Sequence, residues 1–422
     1  MPEVRKIADR IRMVSVRTDK FKTSQIIVSM AVPMNENAAA NALLVYLLKR
    51  SCKSYPDFTL LNRRLDELYG ASLGAGILKT GDAQVLNISI DYIDDRFALD
   101  GESISDCCAE LIAEMLFKPN IKNKSFGSSA LEEERRLLVR RVESELDDKG
   151  RYAYEHLISN MCEKEPFGRS RYGTVEEIKA VRMADVYDAW KNTLETAVIQ
   201  ITAVGSGDPE KIASVFEKGF SGIERNPAEI ETVFAKRGGR FKRIEESFPV
   251  NQGKLVIGFR AGTESVEDNR FAVTVMNDIF GGGTYSKLFT NVREKMSLAY
   301  YCSSSFIPSK GIIVIESGID SSKEKTVTAE VVNQLNEIRD GKNVDSLLGD
   351  SKLSLRERFT FASPEKITAW YSSQVLLENI LDPDEMINGI EAVTAEQVIE
   401  AAKKLSIDTI FMLSSEGGEA DE

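Results

Sequence analysis

Apolar and polar positions alternate along this chain in two rhythms, and the same succession of rhythms occurs twice. Ile26-Ile27-Val28-Ser29-Met30-Ala31-Val32 is a short, nearly continuous apolar run and predicts a strand. From Ala38 to Leu48 the chain is apolar on nearly every face of a helix, which predicts burial, whereas Leu60 to Leu68 has the spacing of an amphipathic helix. Leu73 to Lys79, the turn Gly81-Asp82 and Val85 to Ile90 then predict a strand pair. About 230 residues later the series returns. Lys254 to Phe259 reads as the strand, Phe271 to Phe280 as the apolar helix and Lys287 to Met296 as the second helix. Ala299 to Phe306, the turn Pro308-Ser309-Lys310-Gly311 and Ile312 to Ile319 form the hairpin.

Each half closes with helices, Leu131 to Leu146 and Arg151 to Cys162 in the first, Val344 to Phe359 and Pro364 to Glu378 in the second. Both end on a helix opened by Thr-x-x-Glu/Gln, at Thr174 to Glu177 and Thr394 to Gln397, followed by a strand, Val198 to Val204 or Thr409 to Leu413. That motif is the capping box, in which side chains satisfy two amide donors at the helix start. The pattern predicts an α+β fold of two homologous two-layer domains, each an antiparallel-rich sheet covered by helices, not a doubly wound parallel sheet. Residues 1–221 are the expected first domain and 241–422 the second. Residues 222–240, rich in Glu, Arg, Pro and Gly, are the expected linker.

A chain of 422 residues with 42% hydrophobic and 28% charged composition suits two or three soluble domains. A net charge of −12 opposes a phosphate backbone, so no nucleic-acid partner is expected; it suits a solvated acidic exterior or a cavity that attracts basic peptides. The five cysteines are odd in number and lack C-x-x-C spacing, which reads as reduced, mostly buried thiols. The polar start from Met1 to Lys6 and the short apolar run after it predict neither a signal peptide nor a membrane span, hence a cytoplasmic protein. A single histidine, His156, sits between Glu155 and Leu157, and no second ligand shares its spacing, so a structural or surface role is expected. Along Glu132 to Glu145, acids and bases at helical spacing predict Glu132/Arg136 and Arg141/Glu145 pairs.

Gly281-Gly282-Gly283-Thr284-Tyr285-Ser286-Lys287-Leu288-Phe289 and Val292-Arg293-Glu294-Lys295-Met296-Ser297-Leu298-Ala299-Tyr300 closely resemble the C-terminal half of insulinase/pitrilysin-type zinc metallopeptidases, which include mitochondrial processing peptidase. Leu68-Tyr69-Gly70-Ala71, Glu133-Glu134-Arg135, Pro166-Phe167-Gly168 and Tyr172-Gly173-Thr174 extend the resemblance over nearly the whole chain. It implies a clamshell-half architecture and, in active members, an H-x-x-E-H motif on the first apolar helix with a glutamate ligand from a later one. Here Ala42-Leu43-Leu44-Val45-Tyr46 stands where H-x-x-E-H would be, and counting back from Pro166 puts Arg141 at the third-ligand position. The interval between them is longer than the family shows, through extra residues near Asp94 to Ser105. The resemblance is therefore to a non-catalytic bacterial member, with no metal and no cofactor expected. One imidazole excludes a two-histidine site within this chain.

The second half keeps more of the pattern. Arg293 and Tyr300 match an arginine and a tyrosine that, in the family, reach the scissile carbonyl; a rigid guanidinium and phenol are apt donors to a developing oxyanion. The plainer reading is an Arg293–Glu294 salt bridge with Tyr300 packed on the sheet. Gly281, Gly282 and Gly283 read as a C-cap and turn, or as a loop that is mobile or closely approached. In the non-catalytic subunit of the processing peptidase a glycine-rich loop at this place contacts substrate. G-x-G-x-x-G spacing is lacking, so no nucleotide site is expected. The resemblance implies a silent subunit that pairs with a zinc-bearing homologue to process or bind peptides. The alternative is a non-enzymatic peptide-binding scaffold, as a homodimer.

Overall fold

The computed structural model describes residues 2–99 and 101–415; Met1, Asp100 and 416–422, which the expected domain spans include, lie outside the described residues. Two sheets carry the fold. The first contains β1 (Glu3–Ala8), β2 (Ile11–Arg17), β3 (Thr23–Pro33), β4 (Ser72–Thr80), β5 (Ala83–Ile93) and β6 (Val198–Gly205), in the order β1-β2-β6-β3-β5-β4. The second contains β7 (Lys242–Phe248), β8 (Gly253–Arg260), β9 (Ala299–Ile307), β10 (Ile312–Ile319) and β11 (Ser406–Ser415), in the order β7-β11-β8-β10-β9. Each has a single parallel pairing, β2 with β6 and β7 with β11. The α+β architecture and both hairpins are as the patterning predicts. Thr174 and Thr394 close their capping boxes: the Thr174 hydroxyl accepts from the Glu177 amide at 3.1 Å while Glu177 accepts from the Thr174 amide at 2.8 Å.

Chain contacts divide the protein into two units. One comprises Met1–Glu143, Arg169–Glu231 and Phe361–Asp382; the other comprises Ser144–Gly168, Thr232–Thr360 and Pro383–Glu422. Neither is a continuous half. Helix Lys149–Met161, expected to close the first half, instead packs on the second sheet, burying Ala153, Leu157, Ile158 and Met161 against Val256, Phe411 and Leu413. Helix Pro364–Ser372, expected to close the second half and to run to Glu378, packs on β3 and β6. It stops early because the Gln374 amide group takes over the turn, donating to Trp370 O and Leu381 O and accepting from the Leu381 amide at 2.7 Å. Leu288–Lys295, predicted within an ordinary helix, has π geometry, with the Met296 amide bonded to Asn291 O at 3.1 Å.

Different chemistry holds the two transferred helices. Behind Lys149–Met161, Glu165 accepts from Arg260 at 2.7 Å and from Lys310 at 2.7 Å, and Arg260 also reaches Asp408 at 3.1 Å. Arg260 is 2% exposed and Lys310 is fully buried. Burial pushes the Glu165 carboxyl up, but Lys310 and Arg260 outweigh it and hold it below the usual range. On the first sheet the anchors are amides and carbonyls. Buried Gln200 donates to Tyr371 O at 2.7 Å and accepts from Arg12 at 2.9 Å. Arg12 donates to Gln374 O and Leu377 O at 2.7 and 2.6 Å and pairs with no carboxylate among the described residues.

Candidate functional site

Helix Ala38–Arg50 starts as an alanine run and continues in leucines, residues with high helix propensity and no polar atoms to satisfy. Ala42, Leu43, Leu44 and Val45 are completely buried and Tyr46 nearly so. Covering each leucine contributes roughly 1.5–3 kcal/mol. Tyr46 faces Arg141 of helix Ser128–Asp147. That guanidinium lies 4.6 Å from the Tyr46 ring centroid and donates to its hydroxyl. The structure thus brings together Tyr46 and Arg141, two of the four positions that the resemblance would align with a metal site, and packs Ala42 and Val45 in hydrocarbon. Burial pushes the Tyr46 phenol up to about 12, so it stays protonated near neutrality. Arg50 ties the two helices, reaching Glu134 and Glu133 at 2.7 Å each. The helical-face pairs differ from expectation: Glu132 bonds Arg135, one residue nearer than Arg136, and Arg141 is drawn to the aromatic face of Tyr46 instead of Glu145.

These groups do not fit a zinc ion. Two aliphatic side chains and a protonated phenol offer no tetrahedral donor set, and a guanidinium at the remaining position repels a dication. Among the described residues, no three His, Cys, Asp or Glu side chains gather as a metal-binding group. His156 stacks on Tyr152 with ring centroids 4.0 Å apart and lies 3.5 Å from Glu246.

In the second half, helix Arg270–Gly281 runs into the glycine triplet. None of the three has positive φ, so a left-handed cap is not their reason. Close approach is. A Cβ on Gly281 would meet Ser304 N at 2.6 Å, on Gly282 Asp278 Oδ1 at 2.3 Å, and on Gly283 Tyr285 Cε1 at 2.8 Å. Beneath the triplet, Asp278 is 1% exposed and accepts from Arg358, from the Tyr285 hydroxyl and from Ser351 at 2.8 Å. Arg358 also donates to Gly282 O at 3.2 Å. Burial, then the Asp278 hydrogen bond, pushes the Tyr285 phenol up to about 12.

This network escaped the sequence reading, although one signal was present: Asp278 is an acid in an otherwise apolar stretch, Val275-Met276-Asn277-Asp278-Ile279-Phe280. Tyr46 and Asp278 are each the ninth residue of their helices, and each receives an arginine from a later helix. Arg293 lies over the Phe289 ring at 4.6 Å and 3.5 Å from Glu294, which is the plainer expectation. Tyr300 departs from it: 71% exposed, it is not packed on the sheet. No hydrogen bond joins Arg293 to Tyr300 among the described residues. What the arrangement offers chemically is an exposed guanidinium and an exposed phenol on the elements that follow a tightly packed glycine turn.

Comparison with known proteins agrees with this geometry. A family model described as the peptidase M16 inactive domain matches residues 180–347. "Probable inactive metalloprotease YmfF" of Bacillus subtilis (strain 168) is 29% identical over 406 residues, covering 96% of this chain and 95% of that protein. A crystal structure of a conserved protein from Enterococcus faecalis V583 superposes with a TM-score of 0.88 at 26% identity, over 99% of this chain and 100% of that one. The peptidase M16 inactive domain from Pseudomonas fluorescens shares the fold with a TM-score of 0.80 at 19% identity, over 100% of this chain and 99% of that one. With hydrocarbon on the first helix, at the positions that the resemblance aligns with H-x-x-E-H, the chain is similar over nearly its whole length to inactive homologues of the insulinase/pitrilysin-type, M16 peptidase family.

Proposed function

We propose that this chain is the non-catalytic subunit of a two-chain peptidase, lending Arg293, Tyr300 and the Gly281–Gly283 turn to a peptide held at the zinc of a homologous partner. The observation that carries this reading is Tyr300. An aromatic ring left 71% exposed on the edge strand β9, seven residues on from an exposed arginine, has an interaction surface to offer and no structural task of its own. A phenol and a guanidinium donate where an oxyanion develops, and one such donor is worth roughly 10²–10³ in kcat. The vacated metal helix fits the same division of labour, since the partner would supply the metal. Five free thiols, four of them buried, suit a reducing compartment, and we place the pair in the cytoplasm. No helix among the described residues is long and apolar enough to cross a membrane.

Co-expression with a zinc-bearing homologue from the same genome tests the reading. A mixed complex should co-purify, and Arg293→Ala should lower its kcat by roughly 10²-fold with the complex intact. Two chains that elute separately, or a complex indifferent to Arg293→Ala and Tyr300→Phe, would end it. A chain that instead self-associates and retains peptides unchanged would favour the homodimeric scaffold.

A further inference from the structure

We propose that an open cavity of about 390 Å³ beneath the start of helix Lys149–Met161 binds a small zwitterion, an α-amino acid or a short peptide with both ends free. Strands β8, β10 and β9 make its floor. Lys254, Gly318 and Tyr301 lie in one cross-strand row, and Val256, Glu316 and Ser303 in the next. Asp148, Gly150, Arg151 and Tyr154 form the wall. Gly318 is required there, because a Cβ would stand 2.5 Å from Tyr301 Cε1 and 2.7 Å from Gln252 Oε1. With no side chain between them, the Lys254 ammonium comes to 5.4 Å from the Tyr301 ring centroid.

The charges in this cavity feel one another, Arg151 acting on Glu316 and Asp148 on Lys254, but neither Lys254 nor Glu316 closes an ion pair among the described residues. Lys254 donates to Gln252 at 2.6 Å but has no carboxylate within ion-pair distance. Glu316, half-buried, has no hydrogen-bond or ion-pair partner among the described residues. They miss each other because the register sets Lys254 opposite Gly318 and Glu316 opposite Val256, a diagonal separation of about 7–8 Å between such positions. Arg151 is engaged by Glu155, and its Nε is buried without an acceptor. The Tyr154 and Tyr301 hydroxyls make no hydrogen bond among the described residues. Burial pushes both phenols up to about 12, so they stay protonated donors; it also pushes the Glu316 carboxyl up and the Lys254 amine down.

A purely cationic ligand would face Lys254 and Arg151, and a purely anionic one Glu316 and Asp148. One ammonium and one carboxylate on the same small molecule satisfy both unpaired groups at once, the carboxylate towards Lys254 and the phenols, the ammonium towards Glu316.

The test uses the full chain alone, so it is independent of the partner-subunit reading. A panel of free L-amino acids and dipeptides, with their N-acetylated and C-amidated forms, is titrated by calorimetry and ligand-observed NMR. At least one free-ended compound should bind one to one, and capping either end should weaken it about tenfold or more. Glu316→Gln and Lys254→Met should each reproduce that loss at an unchanged melting temperature. No binding across the panel, equal binding of the capped forms, or wild-type affinity in both variants would overturn the proposal. If either variant fails to fold, the capped ligands on the wild-type chain decide.

Discussion

The two sheets solve one problem with opposite chemistry. Each takes a helix from the other half of the sequence. The first sheet fastens Pro364–Ser372 through the Gln200 amide and an Arg12 guanidinium spread over main-chain carbonyls. The second fastens Lys149–Met161 through Glu165, Arg260, Lys310 and Asp408. A neutral anchor such as the Gln200 amide loses only its own hydrogen bonds when cut. Buried ions, when one is removed, leave the others uncompensated, so equal numbers of contacts predict unequal fragility.

Glu165→Ala probes the second sheet most severely. It takes from Lys310 its carboxylate, leaving the Val233 carbonyl, and from Arg260 one of two carboxylates, and chemical denaturation should report a loss of about 3–5 kcal/mol. Gln200→Ala is the matching cut on the first sheet; a Tyr371 carbonyl that loses one of its donors and one lost Arg12 contact should cost about 2 kcal/mol. A loss equal to that of Glu165→Ala would erase the distinction. Acid should separate the sheets more gently. The Glu165 carboxyl lies below its usual 4.5 when folded, so its contribution is whole above that pH and fades as pH falls through the lowered value. On the first sheet, where the Gln200 and Arg12 anchors include no carboxylate, a buried acid is Asp94, bonded to Ser24, Ser206 and Arg96. Burial raises it, but hydrogen bonds from Ser206, Ser24 and Arg96 bring it down to about 2, and its contribution is lost as pH falls through that value. Hydrogen exchange corrected for intrinsic rates should therefore show Lys149–Met161 losing protection before Pro364–Ser372 as pH drops from 5 towards 3.

The strands, the apolar helices and the hairpins were legible because their periods are local: a buried helix such as Ala38–Leu48 declares itself in its own residues. The exchange of Lys149–Met161 and Pro364–Ser372 was not. An amphipathic stretch states that it has an apolar face, and nothing in it names the sheet that will cover that face. The anchors are equally silent, since Glu165, Arg260, Lys310 and Asp408 stand far apart in sequence and read singly as surface charges. At the candidate site, Tyr46 and Arg141 became visible only through resemblance to a family, and the structure then set one on the other. Asp278 could have been suspected from its apolar surroundings, but its partners Arg358, Tyr285 and Ser351 could not. The glycine triplet suggested a cap or a loop; its cause is crowding by Ser304, Asp278 and Tyr285.

Residues 361–382 belong to the first unit, although most of that unit ends by residue 231. On a ribosome this fixes an order of events. After β6 emerges, the amide of Gln200 waits for Tyr371, an interval of roughly ten to thirty seconds at the usual synthesis rate of about 5–20 residues per second. Through that interval β3 and β6 lack their cover, and the nascent chain presents a greasy, unfinished surface to chaperones and to neighbouring nascent chains. A truncated product that stops anywhere before residue 361 never gets past that stage.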